Sequence, residues 1–138
     1  MIAHVVGELA RVETDHIVVD VGGVGYKIYA PLSVTAEMPQ PGTRIKLHTY
    51  THVKEDAITL YGFTDTDQQS LFELLLTVGG VGPKVALNIL SVLTVEVIVE
   101  AISRDDHLSL SRVPGVGNKT AQRIVLELKE KIASLAWV

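Results

Sequence analysis

The chain has 138 residues, a formal net charge of −4 and no cysteine, so it is long enough for one ordinary domain or two small ones. Apolar residues make up 47% and charged residues 20%, a balance typical of folded rather than disordered proteins. The lack of cysteine excludes disulfides and cysteine-based zinc sites, and fits a reducing compartment. The sequence has no signal-peptide pattern and no apolar run of the ~18 residues that a membrane span needs, so no membrane partner is expected.

Residues 1–63 have the pattern of a small all-β domain. Runs rich in β-branched and aromatic residues alternate with turn residues, as strands and their connections do; the runs cover 1–11, 15–21, 25–30, 44–53 and 57–62. Five short strands predict a barrel of the oligonucleotide/oligosaccharide-binding (OB) type. Gly22-Gly23-Val24-Gly25 is followed by a strand pattern, which favours a plain hairpin turn over a phosphate site. A longer connection between the third and fourth strands is framed by Pro31, Pro39 and Pro41-Gly42.

Residues 64–138 have a helical pattern, so the chain is predicted to be an α+β protein with two domains. Asp65 followed by Gln68 resembles a capping box that begins a first helix. A second helix is predicted to begin at Pro83, where the missing N–H costs nothing. We expect three apolar residues of the first helix to be exposed and to be candidates for subunit contacts: Leu71, Phe72 and Leu75.

Further helices are predicted towards the end of the sequence. Thr94 can cap a third helix over 95–102, and Asp105 or Asp106 a short fourth one. The last helix is predicted over 118–135, because apolar residues recur there at helical spacing: Ala121, Ile124, Val125, Leu128, Ile132 and Leu135. Trp137 is expected to pack at the terminus.

The most informative feature is a motif that occurs twice in the helical half. Residues 78–90 and 113–125 match at seven of thirteen positions, including both glycines and the lysine. Each copy is an apolar run, a Gly-Val-Gly turn and a helix with a basic residue in its first turn. Glycine allows close approach of the backbone, and the N–H groups and positive dipole end of the helix favour an anion. We predict two phosphate sites formed by Gly80, Val81, Gly82, Lys84, Gly115, Val116, Gly117, Lys119 and Arg123.

This pattern resembles the helix-hairpin-helix module, which binds the sugar-phosphate backbone of DNA without reading bases. A single Gly-Val-Gly is equally well explained by a tight turn with a glycine C-cap, but two copies that both keep the lysine favour nucleic acid. The net charge of −4 is unusual for a nucleic-acid binder. The bases near the motifs are clustered, however, and a local basic face is therefore expected: Lys84, Arg112, Lys119 and Arg123.

A second constellation, Lys54-Glu55-Asp56, lies between two predicted strands. Taken alone it is a solvated polar turn. On a DNA-binding protein, adjacent carboxylates would repel phosphates and shape the path of the strands. A divalent metal for nuclease chemistry is the other alternative, but no third carboxylate has a suitable spacing. His48 and His52 share one face of a strand without a completing ligand, so no metal or cofactor is expected.

In order and spacing these features resemble the RuvA family, the Holliday-junction-binding subunits of the bacterial RuvABC branch-migration complex. The resemblance extends over nearly the whole chain. It is carried by residues 52–63, by the two motifs at 80–84 and 115–119, and in the barrel by Met1-Ile2, Gly7-Glu8-Leu9 and Gly23-Val24-Gly25-Tyr26.

The resemblance implies an OB barrel, a helical domain with paired helix-hairpin-helix motifs, and a homotetramer or an octamer of two stacked tetramers. It implies that the tetramer spreads four-way junction DNA into a square plane. The glycine turns with Lys84, Lys119 and Arg123 would hold phosphates of the duplex arms, and Glu55 and Asp56 would form an acidic pin at the junction centre. The implied partners are the hexameric RuvB motor, which supplies the ATPase activity, and the RuvC resolvase.

Two features depart from the family pattern. Lys54 stands where members usually have arginine, which keeps the charge but loses bidentate phosphate geometry. Members also have a third helical domain, after a flexible linker, that contacts the motor, whereas this sequence ends at Val138 after the last predicted helix. We expect junction binding without that domain, but no motor-driven branch migration.

Two other functions are alternatives to a non-catalytic protein that binds and shapes DNA. Helix-hairpin-helix modules also occur in glycosylases and nucleases, but those need a catalytic Asp or Lys beyond the second motif, and no catalytic triad or nucleotide-binding loop is found. A barrel specific for single strands would stack bases on aromatic rings. Because aromatics are only 5% of the chain, core and interface roles are expected for Tyr26, Tyr29, Tyr50 and Tyr61. We expect a non-catalytic, cytoplasmic DNA-binding protein.

Overall fold

The computed structural model describes residues 1–135, so the expectation for Trp137 lies outside the described residues. The chain divides into two units, Met1–Gln69 and Ser70–Val138. The first unit contains all the strands of the described chain, and the second is helical over its described part. The boundary between the units lies six residues after the change from a strand pattern to a helical pattern at residue 63.

Five strands form a closed barrel in the order β1-β2-β3-β5-β4. Neighbouring strands pair antiparallel, except that β3 and β5 pair in parallel. The predicted five-stranded OB barrel and the α+β class are confirmed, and each strand ends within three residues of its predicted limit. The strands are β1 His4–Val12, β2 His16–Val21, β3 Val24–Tyr29, β4 Arg44–Val53 and β5 Ile58–Phe63.

The barrel interior is filled by aliphatic side chains from alternate strand positions. Because successive side chains point to opposite faces of a strand, one face of each strand enters the core while the other faces outward. Each fully buried Leu, Ile or Val stabilises the fold by about 1.5–3 kcal/mol relative to an exposed one. The fully buried members include Leu9, Ile17, Val19, Ile28 and Leu47.

A short helix, α1 (Leu32–Thr35), lies between β3 and β4, where only a connection was predicted. Val34 is fully buried and belongs to the barrel core, and the Thr35 hydroxyl donates to the Thr14 carbonyl at 2.9 Å. Both residues are β-branched, so the local sequence favours extended backbone. Burial of Val34 and the Thr35 hydrogen bond outweigh that preference.

The glycine-rich stretch between β2 and β3 is a plain two-residue hairpin, as predicted. Gly22 and Gly23 both have positive φ (60° and 94°), the backbone that a tight hairpin of this twist requires. The Asp20 carboxylate accepts from the Gly23 N–H at 2.8 Å. The turn leads directly into β3, so no helix N-terminus is available there to hold an anion.

The remaining elements are helices, three of which have side-chain caps at the predicted positions. Asp65 accepts from the Gln68 N–H at 2.8 Å, Thr94 from the Val97 N–H at 3.2 Å, and Asp106 from the Ser109 N–H at 3.2 Å. Of the two alternatives for the fourth predicted helix, Asp106 is therefore the cap. The helices are α2 Thr66–Leu76, α3 Pro83–Val92, α4 Val95–Ser103, α5 His107–Ser111 and α6 Asn118–Ala133.

The buried residues of α2 correct one prediction. The three side chains expected to be exposed for subunit contacts, Leu71, Phe72 and Leu75, are all fully buried. Their spacing gives α2 an apolar face, and in this chain that face is used for packing, not for an exposed contact. The apolar stripe of α6 is buried as predicted, except that Leu135 is only half-buried.

Within residues 1–135, no single helix has the length and apolar character needed to cross a membrane. Only α3 and α4 taken together pass such a test, and the two are bent by 103° at their junction.

Candidate nucleic-acid interface

The two Gly-Val-Gly turns have the same backbone. The first glycine of each is left-handed, with φ of 87° at Gly80 and 89° at Gly115. Non-glycine residues rarely adopt this conformation. In each turn the following valine N–H donates to the residue three positions earlier, Val81 to Val78 at 3.1 Å and Val116 to Val113 at 3.0 Å. The sequence repeat is therefore a repeat of conformation as well.

The second glycine of each turn begins a helix. Gly82 and Gly117 are the N-caps of α3 and α6, with extended backbone and no side-chain cap. The first N–H groups of an α-helix have no acceptor within the helix, and both N-cap glycines are exposed. Each turn therefore presents a helix N-terminus, with uncapped N–H groups and a positive dipole end, to solvent. That arrangement favours an anion such as phosphate.

The valines of the turns have a different role from the glycines on either side of them. Val81 and Val116 are buried, with 6% and 4% of their surface exposed, and their N–H groups are already used inside the turns. They anchor each turn to the helical core. Of the predicted phosphate ligands, the exposed backbone at the glycines and the basic side chains remain available to a ligand.

The basic residues of the motifs stand close to these helix ends. Lys84 and Lys119 are the second residues of α3 and α6, and both are exposed. Arg123 lies one turn further along α6, where its Nε donates to Glu127 Oε2 at 2.5 Å. The Lys84 and Lys119 side chains form no ion pair among residues 1–135, so their charges are not neutralised within the described chain.

The two motifs also contact each other reciprocally. Asn88 in α3 donates from Nδ2 to the Pro114 carbonyl of the second turn at 3.5 Å. Arg123 in α6 lies against the first turn, so close that a Cβ on Gly79 would overlap its guanidinium. Asn88 and Arg123 are equivalent positions of the repeat, thirty-five residues apart, and so are Gly79 and Pro114. Each helix thus holds the other motif's turn, which fixes the two candidate phosphate sites relative to one another.

Asn88 was not among the predicted site residues. Its position in the repeat, matched to Arg123, was the available indication. A sequence repeat shows which residues are equivalent but not which surfaces meet, so the contact with Pro114 required the structure.

The acidic turn lies in the barrel unit. Glu55 and Asp56 form the tip between β4 and β5, and both are exposed. The turn is closed by a hydrogen bond from the Lys54 N–H to the Ala57 carbonyl at 2.8 Å. Two adjacent carboxylates therefore project from the end of a hairpin.

Asp106 and Tyr61 are two ionisable groups whose pKa is shifted from its ordinary value. Hydrogen bonds from the side chain and backbone of Ser109 lower the pKa of Asp106, the cap of the helix that leads into the second turn. Burial, and then the neighbouring Tyr29 and Tyr50, raise the pKa of the Tyr61 phenol. Among residues 1–135, no three His, Asp or Glu side chains lie together as a set of metal ligands.

Models of known protein families match most of each unit. Residues 1–62 match the family model described as the RuvA N-terminal domain, and residues 72–130 match a SAM-like helix-hairpin-helix tandem. Similar proteins named Holliday junction branch migration complex subunit RuvA include one from Symbiobacterium thermophilum, 50% identical over 98% of this chain and 66% of the relative. Others come from Natranaerobius thermophilus (46%, 98% and 63%) and Pelobacter propionicus (48%, 98% and 68%). The chain thus spans about two thirds of the length of these relatives.

Proposed function

Because this chain belongs to the RuvA family, we propose that it binds four-way (Holliday) junctions and holds them open for branch migration. The observation that carries the proposal is the pair of glycine turns with identical backbone, each ending in an uncapped, exposed helix N-terminus. A duplex arm offers phosphates at regular intervals. Two anion sites held at a fixed separation suit a backbone of that kind better than a single small anion.

In this proposal the phosphates lie at the backbone of Gly80, Gly82, Gly115 and Gly117, with Lys84, Lys119 and Arg123 supplying positive charge. Contacts of this kind position a protein on DNA and contain no sequence information. The choice of a junction over other DNA must then come from shape. Four copies around a crossover, each gripping an arm, supply a shape that no linear duplex matches.

We assign the acidic turn a repulsive role at the crossover. Glu55 and Asp56 are adjacent, exposed and at the tip of a hairpin, and like charges repel phosphates at short range. Placed at the centre of a four-fold assembly, they would keep the strands apart. They would not add affinity.

This chain is proposed to act with other subunits of a branch migration complex. Relatives are named as subunits of a branch migration complex, and we propose that this chain is the non-catalytic DNA-binding subunit. The ATPase activity belongs to the RuvB motor, and RuvC resolves the junction. The assembly is a homotetramer or octamer in the cytoplasm, and it acts in recombination and repair.

The experiment is a gel-shift comparison of a four-way junction, a linear duplex with the same arm sequence, and a single strand, with and without Mg²⁺. We expect the junction to bind most tightly and no DNA to be cleaved. Equal or tighter binding of the duplex, or Mg²⁺-dependent cleavage, would contradict the proposal.

A further inference from the structure

We propose that the outer face of β4 is a second DNA site, which binds an unpaired strand next to the crossover. Alternate residues of a strand share one face. On β4 the buried Leu47 and Thr49 point into the barrel, so the alternate set points outward. We call that set, with the exposed residue that follows β4, the β4 stripe: Arg44, Lys46, His48, Tyr50, His52 and Lys54.

The charge of the β4 stripe has one sign. Arg44, Lys46 and Lys54 are exposed, and none of them forms an ion pair within residues 1–135. Glu8 lies opposite Arg44 in the β1–β4 register, but the two are not bridged. No position of the stripe is acidic, whereas ordinary solvated surfaces mix both signs. A line of cations on one strand face favours a polyanion.

Aromatic rings continue the stripe across the outside of the barrel. Ring centroids are 6.1 Å apart for Tyr50 and His52, 6.3 Å for His52 and Tyr61, and 6.1 Å for Tyr61 and Tyr29. Lys27 Nζ lies 5.1 Å from the centre of the Tyr29 ring. These rings are half-exposed on the outside of the barrel, while aliphatic side chains fill its interior. Tyr26, in contrast, packs against that core.

Cations and rings on one surface select unpaired nucleotides. In a duplex the bases are stacked inside, and only phosphates are offered to a flat protein face. An unpaired strand offers both phosphates and free base faces, and base–aromatic stacking does not depend on sequence. In OB folds, oligonucleotides bind on the face of strands 2 and 3 and on the loops between strands 1 and 2 and between strands 4 and 5; the β4 stripe ends at the loop between strands 4 and 5.

The position of the β4 stripe in the chain supports a strand site next to the crossover. Lys54, its last member, directly precedes Glu55 and Asp56. If the acidic turn separates strands at a crossover, the first unpaired nucleotides lie beside the β4 stripe. This setting rests on the proposed function. Binding of an isolated single strand does not, because it can be measured without a junction.

The test measures binding of fluorescent oligo(dT), roughly 16 nucleotides long to match the upper site size of one OB fold, to the full chain by anisotropy at several salt concentrations. The variant Arg44→Gln/Lys46→Gln removes two cations of the β4 stripe. The matched control Arg11→Gln/Arg104→Gln removes two exposed arginines that are paired with Glu13 and Glu100. Thermal unfolding of both variants checks that the barrel and helices remain folded.

We expect the stripe variant to bind oligo(dT) about tenfold more weakly at ~50 mM salt, with a salt slope lower by about 1.4, since each lost phosphate contact on a single strand removes about 0.7. The control should stay within about twofold of the unchanged protein. Photocrosslinking with 4-thiothymidine should label the peptides that contain Tyr50 or Tyr61. Equal losses in the two variants, or crosslinks confined to α3 and α6, would overturn the proposal.

Three further results distinguish a strand site on the β4 stripe from a subunit contact and from a site at the helix ends. If Arg44→Gln/Lys46→Gln changes the mass of the assembly in sedimentation, the face lies between copies of the chain and the strand site is wrong. If Lys84→Gln/Lys119→Gln abolishes oligo(dT) binding while the stripe variant does not, the strand binds at the helix ends, and only the junction function survives. If the junction is not preferred over duplex but oligo(dT) still depends on the stripe, the proposed function fails and the strand site stands.

Discussion

At the scale of single residues, the two glycines of each turn have different backbone conformations and therefore different roles. Gly80 has a φ of 87°, whereas Gly82 has extended backbone and open space around its Cα. A left-handed L-residue costs roughly 1–2 kcal/mol, so Gly80→Ala should lower the free energy of unfolding by about that amount in urea titration. Gly82→Ala is the matched control and should change stability by less than about 0.5 kcal/mol.

The same pair separates folding from binding. If phosphate approaches the cap, the methyl group of Gly82→Ala should weaken junction binding while leaving stability unchanged. A stable Gly82→Ala protein with full affinity would place the phosphate elsewhere.

Lys84 and Lys119 are exposed and unpaired within the described chain, so their contribution to DNA binding should be almost purely electrostatic. Each phosphate contact on duplex DNA contributes about 0.9 to the slope of log affinity against log salt. Replacing both residues by Gln should therefore lower the slope by about 1.8 in a salt titration on a duplex arm. Lys129→Gln, which removes a lysine paired with Asp105, should leave the slope as it is. An unchanged slope in the double variant would remove the two lysines from the interface.

We expect Asp106 to make the stability of the protein depend on pH. Its folded-state pKa is lowered from 3.8 by hydrogen bonds from Ser109. A carboxyl of this kind contributes stability that is present above its unfolded pKa and is lost as the pH falls through the folded value. Asp106→Asn keeps a capping oxygen but cannot titrate, so the melting temperature of the variant should fall less steeply than that of the unchanged protein below about pH 4. Parallel melting curves between pH 3 and pH 6 would show that this carboxyl is not linked to folding.

At the scale of elements, periodicity and caps predicted all five strands and the five longer helices, because alternation and helical spacing are local properties. The helix α1 was missed because Val34 and Thr35 favour extended backbone locally, and their burial in the barrel depends on distant residues. The outer-face grouping of Tyr29, Tyr50 and Tyr61 was missed for a similar reason. It requires the β3–β5 and β4–β5 pairings, and β3–β5 is a parallel pair between strands far apart in sequence.

The candidate site, like the fold, could be predicted from local sequence only in part. The glycines and lysines of both motifs were found from spacing and type. The partition between anchoring valines and exposed glycines required the turn hydrogen bonds. The reciprocal packing of Asn88 and Arg123 depends on how α3 and α6 meet, which no local pattern contains.

The β4–β5 turn provides a test of repulsion. Glu55→Lys/Asp56→Lys reverses its charge, so it should leave junction affinity equal or raise it, while the strands at the crossover open less. Fluorescence of a 2-aminopurine placed at the crossover reports that opening. The control Glu37→Lys/Glu96→Lys makes the same change of net charge away from the turn. Loss of binding in the turn variant alone would mean that the carboxylates contribute contacts and not repulsion.

At the scale of the whole molecule, a net charge of −4 is compatible with the proposed DNA binding, because the charge is unevenly distributed. The exposed helix N-termini with Lys84 and Lys119, and the β4 stripe, are local positive surfaces, and Glu55 and Asp56 form a local negative one. In the proposed four-fold assembly, the helix N-termini would hold the duplex arms, the β4 stripe would bind an unpaired strand, and the acidic turn would face the crossover. Net charge per chain therefore says little about the field that DNA meets.

A hydroxyl-radical footprint of the protein on a four-way junction shows where the DNA backbone is covered. We expect equal protection of the backbone on all four arms, next to the crossover, and loss of that protection in Lys84→Gln/Lys119→Gln. Protection spread along one arm, or located at the arm ends, would contradict the proposed function.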